Sequence, residues 1–264
     1  MNTRSRDLDI PALARELRAL GVEPGGVLVV HTAFSKIAPV ENGPQGLIEA
    51  LRTALGPDGT LVMPSMSDDD ETPFDPRKTP CRDLGIVPDT FWRLPGVARS
   101  DNPHAFAAIG PHAATITAPH PLDVPHGPDS PVGRAHDLDA QVLLIGVGHD
   151  ANTTIHVAEN IARVRYGIPK YVTITGASGT ERVHYFEIDH CCQRFALMDE
   201  WLQAAGKQRR VTIGRAQVRL ARSRDILAMA LARLKECETV FLHDPGECPE
   251  CDESRRGLEE SPVS

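Results

Sequence analysis

Two short segments carry the groups that could move a proton. Gly146 to Asn160, GVGHDANTTIHVAEN, follows the apolar run Val142 to Ile145 and turns through two glycines into a helix starting near Asn152 or Thr153. That start places His156 in the first helical turn. Phe186 to Phe195, FEIDHCCQRF, packs Glu187, Asp189 and His190 into four residues. An imidazole at a strand–helix junction with a carboxylate nearby is the minimum equipment for taking a proton from an amine, because an unperturbed pKa of about 6.5 suits a base at neutral pH. The same residues also fit a buried structural histidine and an ordinary surface carboxylate. Local sequence leaves both readings open.

The cysteines suggest a second kind of chemistry. Cys248-Pro249-Glu250-Cys251 is a C-x-x-C, one half of a structural zinc site. His190, Cys191 and Cys192 offer the other half. Neighbours at a helix start point ~100° apart, so His190 with Cys192 is the sterically easier pair and Cys191 the competing ligand. A redox C-x-x-C is a poorer fit, because this one lies in a polar stretch without strand–helix context. Two other classes remain: a zinc-dependent hydrolase using His149, Asp150 and His156, or a non-catalytic module stabilised by zinc. His149 lies outside the expected His156 helix, which counts against the hydrolase.

These residues must be positioned by alternating strands and helices. Apolar stripes predict a helix carrying Ile10, Leu13, Leu17 and Leu20, and another over Gln45 to Leu55. Continuous apolar runs predict buried strands at Val27 to His31, Thr60 to Met63 and Val142 to Val147. Tyr171 to Thr175 and Arg182 to Phe186 flank Gly176-Ala177-Ser178-Gly179 as a hairpin. Thr90 to Leu94 and Cys191 to Ala205 read as helices. Ala216 to Leu220 reads as a strand, followed by a helix capped by Ser223 and running to Leu234, and Val240 to Leu242 as a last strand. Prolines between Pro64 and Pro131 mark long irregular loops. We expect one catalytic domain over residues 1–250 and a flexible polar tail over 251–264.

Composition narrows the class. The chain of 264 residues can bury a full core, and 41% hydrophobic with 24% charged residues is ordinary for a globular protein. The N-terminal segment lacks an apolar signal core, so a cytoplasmic location is expected. With 36 acidic against 28 basic side chains the net charge is −8, which disfavours nucleic acid and anionic membrane and suits a cationic ligand. Asp68-Asp69-Asp70-Glu71 concentrates that charge. G-x-x-x-x-G-K-[ST] and a helix-opening G-x-G-x-x-G are absent. A nucleotide-like group would rest on scattered donors, such as His31, Thr32, Ser35 and Lys36 at the end of the first strand.

Taken in order, GVLVVHTAFSKI (Gly26 to Ile37), GTLVMPS (Gly59 to Ser65), DTFWRLPGVARSDNPHAFAAIG (Asp89 to Gly110), SPVGRAHDLDAQVLLIGVGHDANTTIHVAE (Ser130 to Glu159) and EIDHCC resemble the aminoglycoside 3-N-acetyltransferase family over residues 10 to 250. The likeness is greatest to the branch that acetylates apramycin as well as gentamicin and tobramycin. It implies an α/β fold with αβα layers around a mixed central sheet, unlike GNAT acetyltransferases. It also implies acetyl-CoA as cosubstrate and the 3-amino group of 2-deoxystreptamine as acceptor. His156 then matches the catalytic base, Glu187 the acidic residue supporting it, and Asp189 a site carboxylate. His31 to Lys36 and the segment around Asn102, Pro103 and His104 match regions that face coenzyme A. Asp69, Asp70, Glu187 and Asp189 are the expected contacts to the drug's ammonium groups, and the amine attacks the thioester directly. Monomer and homodimer both remain open.

Overall fold

Continuous apolar runs become the central strands, and their alternating side chains create two cores. The computed structural model describes residues 7–37, 39–81, 84–176 and 179–260. Its strands are β1 (Val27–Thr32), β2 (Thr60–Pro64), β3 (Ala98–Arg99), β4 (Phe106–Ile109), β5 (Gln141–Ile145), β6 (Ile168–Gly176), β7 (Gly179–Glu187), β8 (Gln208–Ile213) and β9 (Ala216–Arg222). Seven form one sheet in the order β3-β4-β2-β1-β5-β9-β8, and β6 pairs with β7 as a separate ribbon. β1 runs parallel to β2 and β5. The remaining neighbours are antiparallel, so the sheet is mixed, as the resemblance implies.

Successive strand residues face opposite sides of the sheet. Leu28, Val30, Leu61, Met63, Leu143 and Ile145 share a core with Leu13, Leu17, Leu47 and Leu51 of the helices Ile10–Leu20 and Gly43–Leu55. Val27, Val29, Val62, Val142 and Leu144 share the other with residues of the helices Thr154–Ala162, Leu197–Ala204 and Ser223–Glu236. Both faces of β1 and β5 are thus covered, which is why they read as unbroken apolar runs. The predicted N-terminal stripe is buried as expected, and Asp9 caps its helix by accepting from the Ala12 amide at 2.7 Å.

Several local expectations are corrected. Val240 to Leu242 is not a strand: Val240 and Leu242 donate to Cys237 and Thr239 in tight turns. Ser223 opens its helix without capping it, and its hydroxyl has no partner among the described residues. The helix expected from Cys191 begins only at Gln193, as a 3₁₀ turn leading into Leu197–Ala204. β4 and β8 went unpredicted because short or alternating-charge strands carry little periodicity. Residues 251–260 are not a loose tail. Pro249–Arg255 and Gly257–Glu260 are helical, Cys251 and Ser254 are buried, and the Ser254 carbonyl accepts from the Gly167 amide at 2.9 Å. Ala177, Ser178 and residues 261–264 lie outside the described residues.

Phe195 links the fold to the site. It is 1% exposed and meets His156, His190 and Phe241 edge-on, with ring centroids 4.9–5.1 Å apart. Phe195→Ala should cost about 3–5 kcal/mol, read as a lowered midpoint in chemical denaturation, because the enclosed ring leaves a cavity.

Candidate active site

The carboxyl end of β5 turns at Gly146, where φ is +69° and a Cβ would sit 3.1 Å from the Ala33 carbonyl. A 3₁₀ turn, His149–Ala151, leads into the helix that carries His156 near its start. Glu159 lies three residues on, on the same helical face. His156 Nδ1 donates to Glu159 Oε2 at 2.6 Å. His190 Nε2 donates to Glu159 Oε1 at 2.9 Å, and the Tyr166 hydroxyl donates to the same oxygen. The carboxylate is fully buried yet has three donors. Burial alone would raise its pKa, but the charges and hydrogen bonds of His156 and His190 lower it to about 2.

This geometry settles the tautomers. A carboxylate can only accept, so Nδ1 of His156 carries the proton and Nε2 is the nitrogen left for chemistry. His190 Nδ1 accepts from the Cys192 amide at 3.1 Å, so its proton sits on Nε2. His156 Nε2 faces the Cys192 sulfur at 3.4 Å, and that thiol donates to the His190 carbonyl at 3.2 Å. Burial works to lower the pKa of His156, but Cys192 and Glu159 outweigh it and hold the imidazole well above its ordinary value.

The carboxylate behind His156 is therefore Glu159, not Glu187. Glu187 closes β7 and is buried against His104 Nε2 at 3.3 Å, Lys170 Nζ at 3.2 Å and the Tyr185 hydroxyl at 3.2 Å. Asp189 pairs with the same Lys170 at 2.7 Å. Asp70 lies in this field too: burial raises its pKa, Lys170 and His104 lower it, and Glu187 raises it again. His126 joins the two groups. Its ring stacks on His156 at 5.4 Å and meets His104 edge-on at 4.9 Å, and its buried Nε2 has no hydrogen-bond partner among the described residues. The other expected acids turn elsewhere. Asp69 accepts from the Glu71 and Thr72 amides at 3.1 and 3.0 Å, and Glu71 binds Tyr171 and Arg182 of the ribbon.

Ser35 and Lys36 line a surface hollow of about 530 Å³ with Gly146, Gly148, Arg215 and Arg219. Thr32 ends β1 beside it, while His31 is buried and its pKa falls to about 4, through burial first and His149 second. Pro103 lines another hollow with Phe74, His120 and Thr173. His104, also expected to face coenzyme A, directs its Nε2 to Glu187 at 3.3 Å.

The metal expectation is half corrected. Cys191, His243, Cys248 and Cys251 bring their ligand atoms within 4.8 Å of one another. Cys191 Sγ lies 3.3 Å from His243 Nδ1 and 3.6 Å from Cys251 Sγ. His190 and Cys192 are not part of this group. Cys192 adopts left-handed φ and ψ of 56° and −2°, so the adjacent thiols diverge, one toward His243 and the other toward His156. The hydrolase triad is not assembled. His149 is held by Gln208 at 2.8 Å and Asn152 at 3.0 Å, and it belongs to none of the metal-competent groups among the described residues.

The model of the family described as aminoglycoside 3-N-acetyltransferase matches residues 29–235. Aminoglycoside N(3)-acetyltransferase IV from a Salmonella species is 57% identical over 235 residues, covering 88% of this chain and 90% of the relative. The chain belongs to the aminoglycoside 3-N-acetyltransferase family. Its activity is accordingly that of an N(3)-acetyltransferase, an acyl-transfer enzyme. Among solved structures, aminoglycoside acetyltransferase AAC(3)-IVa superposes at TM-score 0.94 in a mutant complex with a gentamicin and at 0.87 in one with apramycin. The identities are 53% and 52%, over 97% and 95% of this chain and all of the other. AAC-IIIb, solved as a binary complex with CoASH, matches at TM-score 0.80 and 28% identity, over 88% of this chain and 97% of the other.

Two of the overlooked residues left a local trace: Glu159 in its three-residue spacing from His156, and His243 five residues before Cys248. His126, Tyr166 and Lys170 left none. Replacing Glu159 by Gln should lower the His156 titration midpoint seen in histidine ring NMR, since removing the anion favours the neutral imidazole. Glu187→Gln should leave that midpoint in place. Glu159→Gln should also cost about 3–5 kcal/mol in denaturation, the scale for breaking a buried ion pair.

Proposed function

We propose that the enzyme transfers acetyl from acetyl-CoA to the 3-amine of 2-deoxystreptamine aminoglycosides, gentamicin, tobramycin and apramycin among them, with His156 as general base. The observation that carries this reading is His156 itself. Its Nδ1 is committed to Glu159, its Nε2 faces Cys192, and its ring stacks on His126, which in turn meets His104 beside carboxylates that suit a polycation. The acceptor amine arrives protonated and cannot attack. Asp70, Glu187 and Asp189 hold ammonium groups while Nε2 of His156 removes the proton from the 3-amine. Glu159 keeps the ring oriented and stabilises the imidazolium. The free amine attacks the thioester carbonyl directly, and the tetrahedral adduct collapses with loss of the coenzyme A thiolate, which takes a proton. Lys36, Arg215 and Arg219, around the hollow that Ser35 also lines, suit the coenzyme's phosphates. Acetylation removes one positive charge from the drug and weakens its contacts to ribosomal RNA phosphates. A cytoplasmic setting, where acetyl-CoA is made, belongs to the same proposal.

His156→Ala should reduce turnover ~100-fold or more in a thiol-release assay while circular dichroism stays native. Retention of more than a tenth of the activity would remove His156 from this role. In the unmodified enzyme the rate should rise with pH, because the neutral ring is the active form. The midpoint should lie above 6.5, because the folded environment favours the protonated form. Neutralising Glu187 should raise KM for the drug more than KM for acetyl-CoA.

We also propose a structural zinc on Cys191, His243, Cys248 and Cys251. Three thiolates and one imidazole form a closed tetrahedral donor set. Four protein ligands leave no position for substrate, so the ion would act only as a clip between the C-terminal helix and the turn that carries Cys192. Elemental analysis of protein purified without chelator should find about one zinc per chain. Chelation, or Cys248→Ser with Cys251→Ser, should lower Tm; a metal-free, equally stable protein would reject the site.

A further inference from the structure

Lys170 occupies the two carboxylates that the proposed function gives to a drug ammonium. It projects from β6, opposite Tyr185 in the ribbon register, and its Nζ bridges Glu187 at 3.2 Å and Asp189 at 2.7 Å. The bridge is 29% exposed on the lysine side, whereas Glu187 is 5% exposed. Asp70 shares the same field. Without an internal cation, three carboxylates would crowd a half-buried cleft. His104 gives them little charge to offset, because burial, acting against Glu187, holds its pKa below the ordinary value. Like charges at such range disfavour their own ionisation, so the unliganded protein needs a cation here. Lysine suits that role, being a compact charge on a flexible stem that can swing into water when another cation arrives.

We propose that Lys170 is a displaceable internal counter-ion, which an ammonium group of the acceptor must replace on Glu187 and Asp189, and that this exchange sets affinity and selectivity for polycationic acceptors. The inference rests on the reading of those two carboxylates as drug contacts. It follows that a simple monoamine is a poor acceptor. Its one ammonium cannot both displace Lys170 and reach His156 as the nucleophile, whereas a drug with several ammonium groups can do both.

The test is steady-state kinetics of intact enzyme with gentamicin and acetyl-CoA, for Lys170→Met and Lys170→Arg. Lys170→Met should lower KM for the drug roughly ten-fold at low ionic strength, the scale of one charge-assisted contact, with the change confined to KM and shrinking as salt rises. Lys170→Arg should raise KM for the drug several-fold, because a guanidinium grips paired carboxylates with more bonds than an ammonium. In thermal melts, Lys170→Met should unfold earlier than wild type when free and be stabilised more by saturating drug. A rise in drug KM for Lys170→Met would make Lys170 a substrate contact, and a rise in acetyl-CoA KM would make it a coenzyme contact; either result overturns the proposal. Glu187→Gln run in parallel separates the two levels. If it leaves drug KM unchanged, the drug-binding reading itself fails. If it raises drug KM while Lys170→Met does not lower it, only the counter-ion inference fails. Should Lys170→Met not fold, the opposite sign expected for Lys170→Arg decides alone.

Discussion

A single buried carboxylate organises this site. A carboxylate removed from water is tolerated only when its lone pairs are filled and its charge is balanced. Glu159 meets that demand with donors from three parts of the chain: His156 on its own helix, Tyr166 before β6, and His190 after β7. Each donor is fixed in turn by what it does next. His156 is left with Nε2 facing Cys192, and His190 orients the backbone at Cys192. Removing the charge from Glu159 would therefore loosen the ribbon end, the cysteine turn and the imidazole together. The pKa directions agree with this account, since His156 and His190 hold the carboxylate low, and Cys192 together with Glu159 holds His156 high.

The parallel strands β1, β2 and β5 end on one side of the sheet, where open α/β sheets place their ligands. Basic side chains gather around the hollow at Ser35 and Lys36, and carboxylates gather where β7 ends. That separation suits the two substrates proposed here, one a polyanion and the other a polycation. The ribbon β6–β7 carries Lys170, Tyr185 and Glu187 and is pinned to the acidic loop through Tyr171 and Arg182 on Glu71 and Thr173 on the Asp70 carbonyl. Part of the acidic run is thus spent on holding the ribbon down, which leaves fewer carboxylates to face a ligand than a count of the run suggests.

The paired cysteines show how much can turn on one backbone angle. A regular helix start would have pointed Cys191 and Cys192 about 100° apart on a common axis. The left-handed conformation at Cys192 instead sends one thiol to His243 and Cys251 and the other to His156. The proposed metal clip and the proposed base therefore share a turn without sharing a ligand.

What the sequence determined by itself is what depends on short-range pattern. The N-terminal helix, the central strands and the placement of His156 at a helix start all follow from apolar periodicity and turn residues, and matching blocks in order identified the family and with it the mixed sheet. Only the tertiary structure decided the partners. Glu187 looked like the acid behind His156 because it is a carboxylate in a block dense with chemistry-bearing residues, yet β7 delivers it to Lys170 and His104. Glu159 was near enough to be seen, but its burial was not, and burial is what makes it strong. His243 and Lys170 joined their groups through chain crossings of about 50 and 20 residues, and no local spacing encodes such contacts. Periodicity reports which face of an element is apolar. Which polar group meets which across the cleft is settled by the packing of whole elements, since a buried charge takes whatever donors that packing brings within reach.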